Sequence, residues 1–196
     1  MILKMRNSIA VAMFVGLMAG APNAFADGAH VAPATEFAKA KIAAWLNDPL
    51  LISAIKAQNA KNSGLAQADV DALDKQWRAE VDAADKPLIS SVLGNEVSKF
   101  LAAKKAEMPE TVTEMFVMDA KGLNVGQSDV TSDYWQGDEA KWQKSYQAGA
   151  DAIFVDEVEK DESTQMLQTQ ISLSIKDPDT NEVIGAITVG VNVDAL

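Results

Sequence analysis

Between Ser128 and Tyr146 the chain reads SDVTSDYWQGDEAKWQKSY, a stretch that holds both tyrosines of the protein and two of its four tryptophans. Asp129, Asp133, Asp138 and Glu139 are set among these rings. Aromatic faces beside carboxylates suit an organic cation, each ring contributing on the order of 0.5 to 2 kcal/mol according to how dry it is. They suit an amphipathic or ring-bearing molecule as well. Gly137 and Asp138 can open a short helix, which sets Trp142 and Tyr146 one turn apart on one face. The same spacing fits ordinary core packing, so that pair reads equally as pocket wall or plug. Tyr134 and Trp135 are adjacent and point different ways; beside Ser132, Asp133 and Gly137 they read as loop residues awaiting a contact.

Other chemistries find less support. The acids of this segment lack the alternating spacing and the glycine of an EF-hand loop, so they read as a solvated, helix-capping face. Asp156, Glu157, Glu159, Asp161 and Glu162 form a second acidic run, expected at an exposed strand edge where charge discourages strand addition. The single histidine, His30, lies near the start of the chain, where a frayed terminus is expected and a general base or metal ligand is not. With no cysteine and no second histidine, thiol chemistry, Ser-His-acid catalysis and N/S zinc sites are excluded. No glycine-rich loop follows a strand to cradle phosphate. A carboxylate-pair hydrolase is the remaining enzymatic reading, but no spacing among the acids selects a pair. Neither catalysis nor a cofactor is expected.

The first residues suggest an address. Lys4 and Arg6 precede an apolar run from Ile9 to Gly20, and Ala24-Phe25-Ala26 offers the small residues that a signal peptidase reads. Residues 1–26 are therefore expected to be a secretory signal cleaved after Ala26, with 27–196 a single periplasmic domain. The apolar run is too short to be a retained anchor, and no later segment is apolar enough to span a bilayer. Removing the signal lowers the basic residues from 17 to 15 and leaves all 28 acids, a balance of −13. Such a surface repels nucleic acid and anionic lipid. Without disulfides, a hydrophobic core must hold the fold by itself.

The periodicity then divides the chain. Ala38, Ile42, Trp45 and Leu46 fall on one helical face of a segment beginning at Pro33. Asn47-Asp48-Pro49 stops that helix and starts the next, with Asp48 as cap and Pro49 as its first residue. Asn62-Ser63-Gly64 ends the second helix. Val70, Leu73, Trp77 and Val81 mark a third, and Pro87 opens a fourth running through Ile89, Leu93, Phe100 and Leu101. Beyond Thr111 the period changes. Met115 to Met118 and Leu123 to Gln127 read as a hairpin about Asp119-Ala120-Lys121-Gly122. A third strand is expected over 152–158. Leu167, Thr169, Ile171, Leu173 and Ile175 alternate with polar or small residues as a half-buried strand does, and Asp177 to Asn181 turns the chain into Val183 to Val193. Helices followed by an antiparallel meander make an α+β fold.

In this order, EMFVMDAKGLNVGQSD, KWQKSY, VDEVEKDESTQ and TQISLSIKDPDTNEVIGAITVGVNV resemble the Cache (PDC) sensor domain, an extracytoplasmic relative of PAS. The resemblance implies N-terminal helices packed on a five-stranded antiparallel PAS-like sheet, with a small-molecule pocket on the other face, roofed by residues 128–146. It implies ligand contacts from Tyr134, Trp135, Trp142, Tyr146 and Asp161, the last because its place before ESTQ matches a ligand-facing acid of the family. The amino-acid-binding pattern has an arginine two residues before the tryptophan, where Ala140 stands here. Cache domains are non-enzymatic ectodomains of chemoreceptors and histidine kinases, and the first helix often pairs in a homodimer. With no membrane segment or signalling domain after it, this chain is expected to be a free-standing periplasmic sensor module. It would bind a small organic ligand, cationic or ring-bearing, and present its ligand state to a membrane signalling or transport partner. The alternative is a structural or interaction protein of the periplasm that takes no small ligand.

Overall fold

The computed structural model describes residues 28–160 and 166–196. The expected signal sequence and Asp161 lie outside the described residues. Helix α1 covers Val31–Phe37 and continues as a wider π turn over Ala38–Ile42 and a tighter 3-10 turn over Ala43–Trp45. It begins two residues before Pro33, which still falls in the first turn, where a missing N–H costs no helical bond. Helix α2 (Pro49–Asn62) starts as its sequence predicts, with the Asp48 carboxylate accepting from the Leu50 N–H at 2.9 Å. Helix α3 spans Gln67–Val81. The expected fourth helix is two, α4 (Pro87–Leu93) and α5 (Glu96–Ala106). Asn95 makes the break: its side-chain oxygen caps the Ser98 N–H at 2.8 Å, while its amide nitrogen donates to the Val125 carbonyl at 2.8 Å. No described helix is long and apolar enough to cross a membrane.

The strands are β1 (Val112–Met118), β2 (Asn124–Gln127), β3 (Ile153–Val155), β4 (Glu159–Lys160), β5 (Leu167–Lys176) and β6 (Val183–Asn192). They form one antiparallel sheet in the order β2-β1-β6-β5-β3, with the two-residue β4 also paired to β5. This sheet has six strands where five were expected, because the strand expected over 152–158 is interrupted. The Asp156 side chain accepts from the Glu157 N–H at 2.9 Å and turns the backbone off the ladder.

Period-two alternation gives the sheet two unlike faces. Met115, Val117, Val125, Ile171, Leu173, Ile187 and Val189 point to the helices and bury Ile42, Leu51, Ile55, Val97 and Leu101 with them. On the opposite face Phe116, Met118 and Ala186 pack under Trp142 and Tyr146. A separate cluster of Val70, Trp77, Ile89, Val92, Leu123 and Tyr134 joins α3 and α4 to the end of the β1–β2 hairpin. Asp119 organises that hairpin. Its fully buried carboxylate accepts from the Lys121 and Leu123 N–H groups and from the side-chain amides of Gln58 and Asn62, at 2.8–3.1 Å. Buried Glu80 has a related task at α4, accepting from Gln76 and from the Ile89 N–H. Burial pushes its carboxyl up, but the hydrogen bonds from the Ile89 N–H, the Gln76 amide and the Leu88 N–H outweigh this and hold it below its ordinary value.

Candidate functional site

Strand register fixes the face opposite the helices. One row runs Gln127, Phe116, Thr188, Ser172 and Phe154 across β2, β1, β6, β5 and β3. In it the hydroxyls of Ser172 and Thr188 lie 2.9 Å apart and are fully buried. The next row runs Glu114, Gly190 and Gln170. The Glu114 carboxylate reaches over the glycine to accept from the Gln170 amide at 2.8 Å. Any Cβ at Gly190 would come within 2.8 Å of Glu114 Cγ and 2.5 Å of Thr113 Oγ1, so the bridge depends on a residue without a side chain. Polar side chains thus carpet this half of the sheet.

Two clefts open on this carpet. One, of about 180 Å³, lies between Glu139 and Lys141 of the roof and Asp156, Glu157, Glu159 and Gln170. The other, of about 650 Å³, is lined by Lys105, Val112, Glu114, Asp129, Val130 and Met166. Gln168 lines both, and the Glu114–Gln170 bond joins a wall of one to a wall of the other. The lysines of the clefts face acids, Lys105 pairing with Asp129 at 2.7 Å and Lys141 with Glu139 at 2.8 Å. Lys141 also stands 5.6 Å from the centre of the Phe116 ring, a cation over an aromatic face. Carboxylates outnumber lysines in both clefts, so the local field favours a cationic guest. Val130 and Met166, 46 % and 37 % exposed, add apolar surface to the larger cleft. Among the described residues no group of three or more His, Cys, Asp or Glu side chains is placed to hold a metal ion.

The rings singled out in the sequence separate into distinct places. Tyr134 is 7 % exposed and stacks on Trp77 at 5.3 Å, with its N–H donating to Asp74 at 2.9 Å. Burial, aided by the charge of Asp119, pushes its phenol up to about 12. Trp135 is half-buried against Gly137, and its indole N–H donates to the Lys121 carbonyl at 2.8 Å. Trp142 follows Glu139 on the short helix α6 (Ala140–Gln143), donates its indole N–H to the Asp119 carbonyl at 3.1 Å and stacks on Tyr146 at 4.9 Å. Tyr146 is pushed up by burial and by Asp119 as well. Trp135 and Trp142 share the border of an outer groove of about 320 Å³ with Leu65, Val70 and Lys121, away from the polar sheet face. Tyr134 faces neither the groove nor the clefts.

Glu114, Gln168, Gln170 and Lys141, which line the clefts, and Gly190, under the Glu114–Gln170 bond, were not singled out in the sequence. For Gln168 and Gln170 a signal existed. In β5 the positions alternating with the core are Gln168, Gln170, Ser172 and Ser174, a polar face too regular for a strand that a loop then covers. His30 also departs from its expected place in a frayed terminus: it is 9 % exposed, and its Nε2 donates to the Asp156 carbonyl at 2.8 Å.

No family model and no curated protein matches this chain. Solved structures do. The sensor domain of the Vibrio cholerae histidine kinase DctB is similar at 14 % identity and a TM-score of 0.47, over 84 % of this chain and 51 % of that one. The ligand-binding domain of the Campylobacter jejuni chemoreceptor Tlp3, solved with 4-methylisoleucine, is similar at 11 % identity and a TM-score of 0.39, over 80 % and 62 %. That of the Pseudomonas aeruginosa amino acid chemoreceptor PctC, solved with GABA, gives 15 % and 0.35, over 71 % and 56 %. The chain spans about half to three-fifths of the length of these structures. These three structures are the sensor domain of a histidine kinase and the ligand-binding domains of two chemoreceptors, and the similarity runs over 71–84 % of this chain.

Proposed function

We propose that this chain is an exported, small-molecule-binding sensor module whose ligand is an organic cation with an apolar portion. In this reading the ligand lies on the polar sheet face beneath α6 and signals to a membrane partner. The observation that carries the reading is the Glu114–Gln170 bridge between two acid-lined clefts on a sheet face that α6 roofs. A half-buried carboxylate laid across a glycine between two clefts is a placed polar group of the kind that orients a ligand. Trp142 and Tyr146 then hold the roof from which Glu139 and Lys141 reach down, and Trp135 borders the outer groove as a second place for a ring-bearing guest.

Thermal-shift screening of residues 27–196 against amines, carboxylates and nucleobases tests this. A ligand at 100 times its Kd adds about 2.7 kcal/mol of stability. The shift is expected from amines, and Glu114→Gln is expected to remove it. A specific observation favours the alternative of an interaction protein with no small ligand, namely that Tyr134 and Tyr146 each stack on a tryptophan and so act as core. A screen without a single shift, together with a ligand-independent assembly in size-exclusion chromatography, would support that alternative.

A further inference from the structure

We infer that His30 is a positioning residue for the sheet-face site, holding the Asp156 wall from behind and coupling it to helix α1. This rests on the reading above that the cleft beside Asp156 takes a ligand. His30 occupies the N-cap position of α1, yet its side chain makes no capping bond to that helix. Instead the imidazole crosses to the sheet and donates from Nε2 to the Asp156 carbonyl at 2.8 Å, between residues 126 positions apart in the chain. A bond to a carbonyl fixes the proton on Nε2. Among the described residues Nδ1 is buried with no hydrogen-bond partner, and the Nε2 bond is the ring's polar tie to the sheet.

Asp156 is the place where α1 and the cleft meet. Its carbonyl also accepts from the Thr169 hydroxyl at 2.7 Å, so both lone pairs are used, one by α1 and one by β5. Its N–H donates to the Gln170 carbonyl at 2.9 Å, and its side chain turns the chain toward Glu157. Asp156, Glu157, Thr169 and Gln170 all line the smaller cleft. A shift of this wall strains the His30 bond, and freeing α1 removes one of the bonds that hold the wall in place. Coupling of this kind is reciprocal.

Hydrogen-exchange mass spectrometry of the ligand-free protein tests the coupling from both sides. Loss of one such bond raises local opening about fivefold. His30→Ala is expected to speed exchange by about that factor both in α1 and in residues 153–160, and His30→Gln, which keeps a donor, to restore much of the protection. Thr169→Val, which alters the same carbonyl from the other side, is expected to speed exchange in α1 without touching it. If His30→Ala loosens α1 alone, or Thr169→Val leaves α1 unchanged, the inference is overturned. Because no ligand is present, a failed amine screen leaves this result intact, and a failed coupling leaves the amine screen intact.

Discussion

Trp77 shows why a ring in the loop becomes core. Its indole is fully buried, donates to the Thr131 carbonyl at 2.8 Å and presents its face to Tyr134. Replacing Trp77 with alanine is expected to cost about 3–5 kcal/mol in urea unfolding. Tyr134 adds a spectroscopic check. A phenol raised to about 12 keeps its proton in the fold where the unfolded chain gives it up near 10. This contribution to stability is full below 10 and is lost as pH rises toward 12. Absorbance titration is expected to show both tyrosines ionising above the ordinary range, with Tyr134 raised to about 12, and Trp77→Ala to bring Tyr134 back toward that range. The density of rings between Ser128 and Tyr146 was legible in the sequence. Their partners were not, since Trp77 lies more than fifty positions away and nothing local announces the stack.

Helices α2 and α3 and the strands β5 and β6 were legible because caps and periodicity are local. Asp48-Pro49 and the alternation through Leu167 to Ile175 each specify their element within a few residues. The break between α4 and α5 was not, because Asn95 stops the helix by bonding to β2, a tertiary event. Gly122 tests the hairpin that Asp119 organises. It has φ +82°, and a Cβ there would meet the Gly137 backbone at 2.6 Å. Gly122→Ala is expected to cost about 1–3 kcal/mol in chemical denaturation. The turn between β5 and β6 is tied to α2 by Lys56 and Asp177, 2.5 Å apart. The Lys56 ammonium and the Asp179 N–H hold the Asp177 carboxyl below its ordinary 3.8, and Asp177 holds Lys56 above 10.5. The acid's share of stability is therefore present above 3.8 and lost as pH falls through its lowered value, while the lysine's is present below 10.5 and lost above it. Melting curves against pH are expected to fall less steeply at the acid end in Asp177→Asn than in the wild type.

For the molecule as a whole, the class of the fold followed from helices giving way to an antiparallel meander, and the polar half of the sheet was half-visible in the alternation of β5. What the sequence could not give was the register that lays Glu114, Gly190 and Gln170 side by side, because it arises from strands far apart in the chain. Gly190 makes that dependence testable: Gly190→Ala is expected to break the Glu114–Gln170 bridge and abolish amine binding at a modest loss of stability. Amide correlation NMR, titrated with the amine that gives the largest thermal shift, reads directly where a ligand sits. Shifts concentrated at residues 114, 139–141, 156–159 and 168–170, absent in Glu114→Gln, are the expected result. Shifts confined to Leu65, Lys121 and Trp135, or no saturable shifts with any amine, would contradict it.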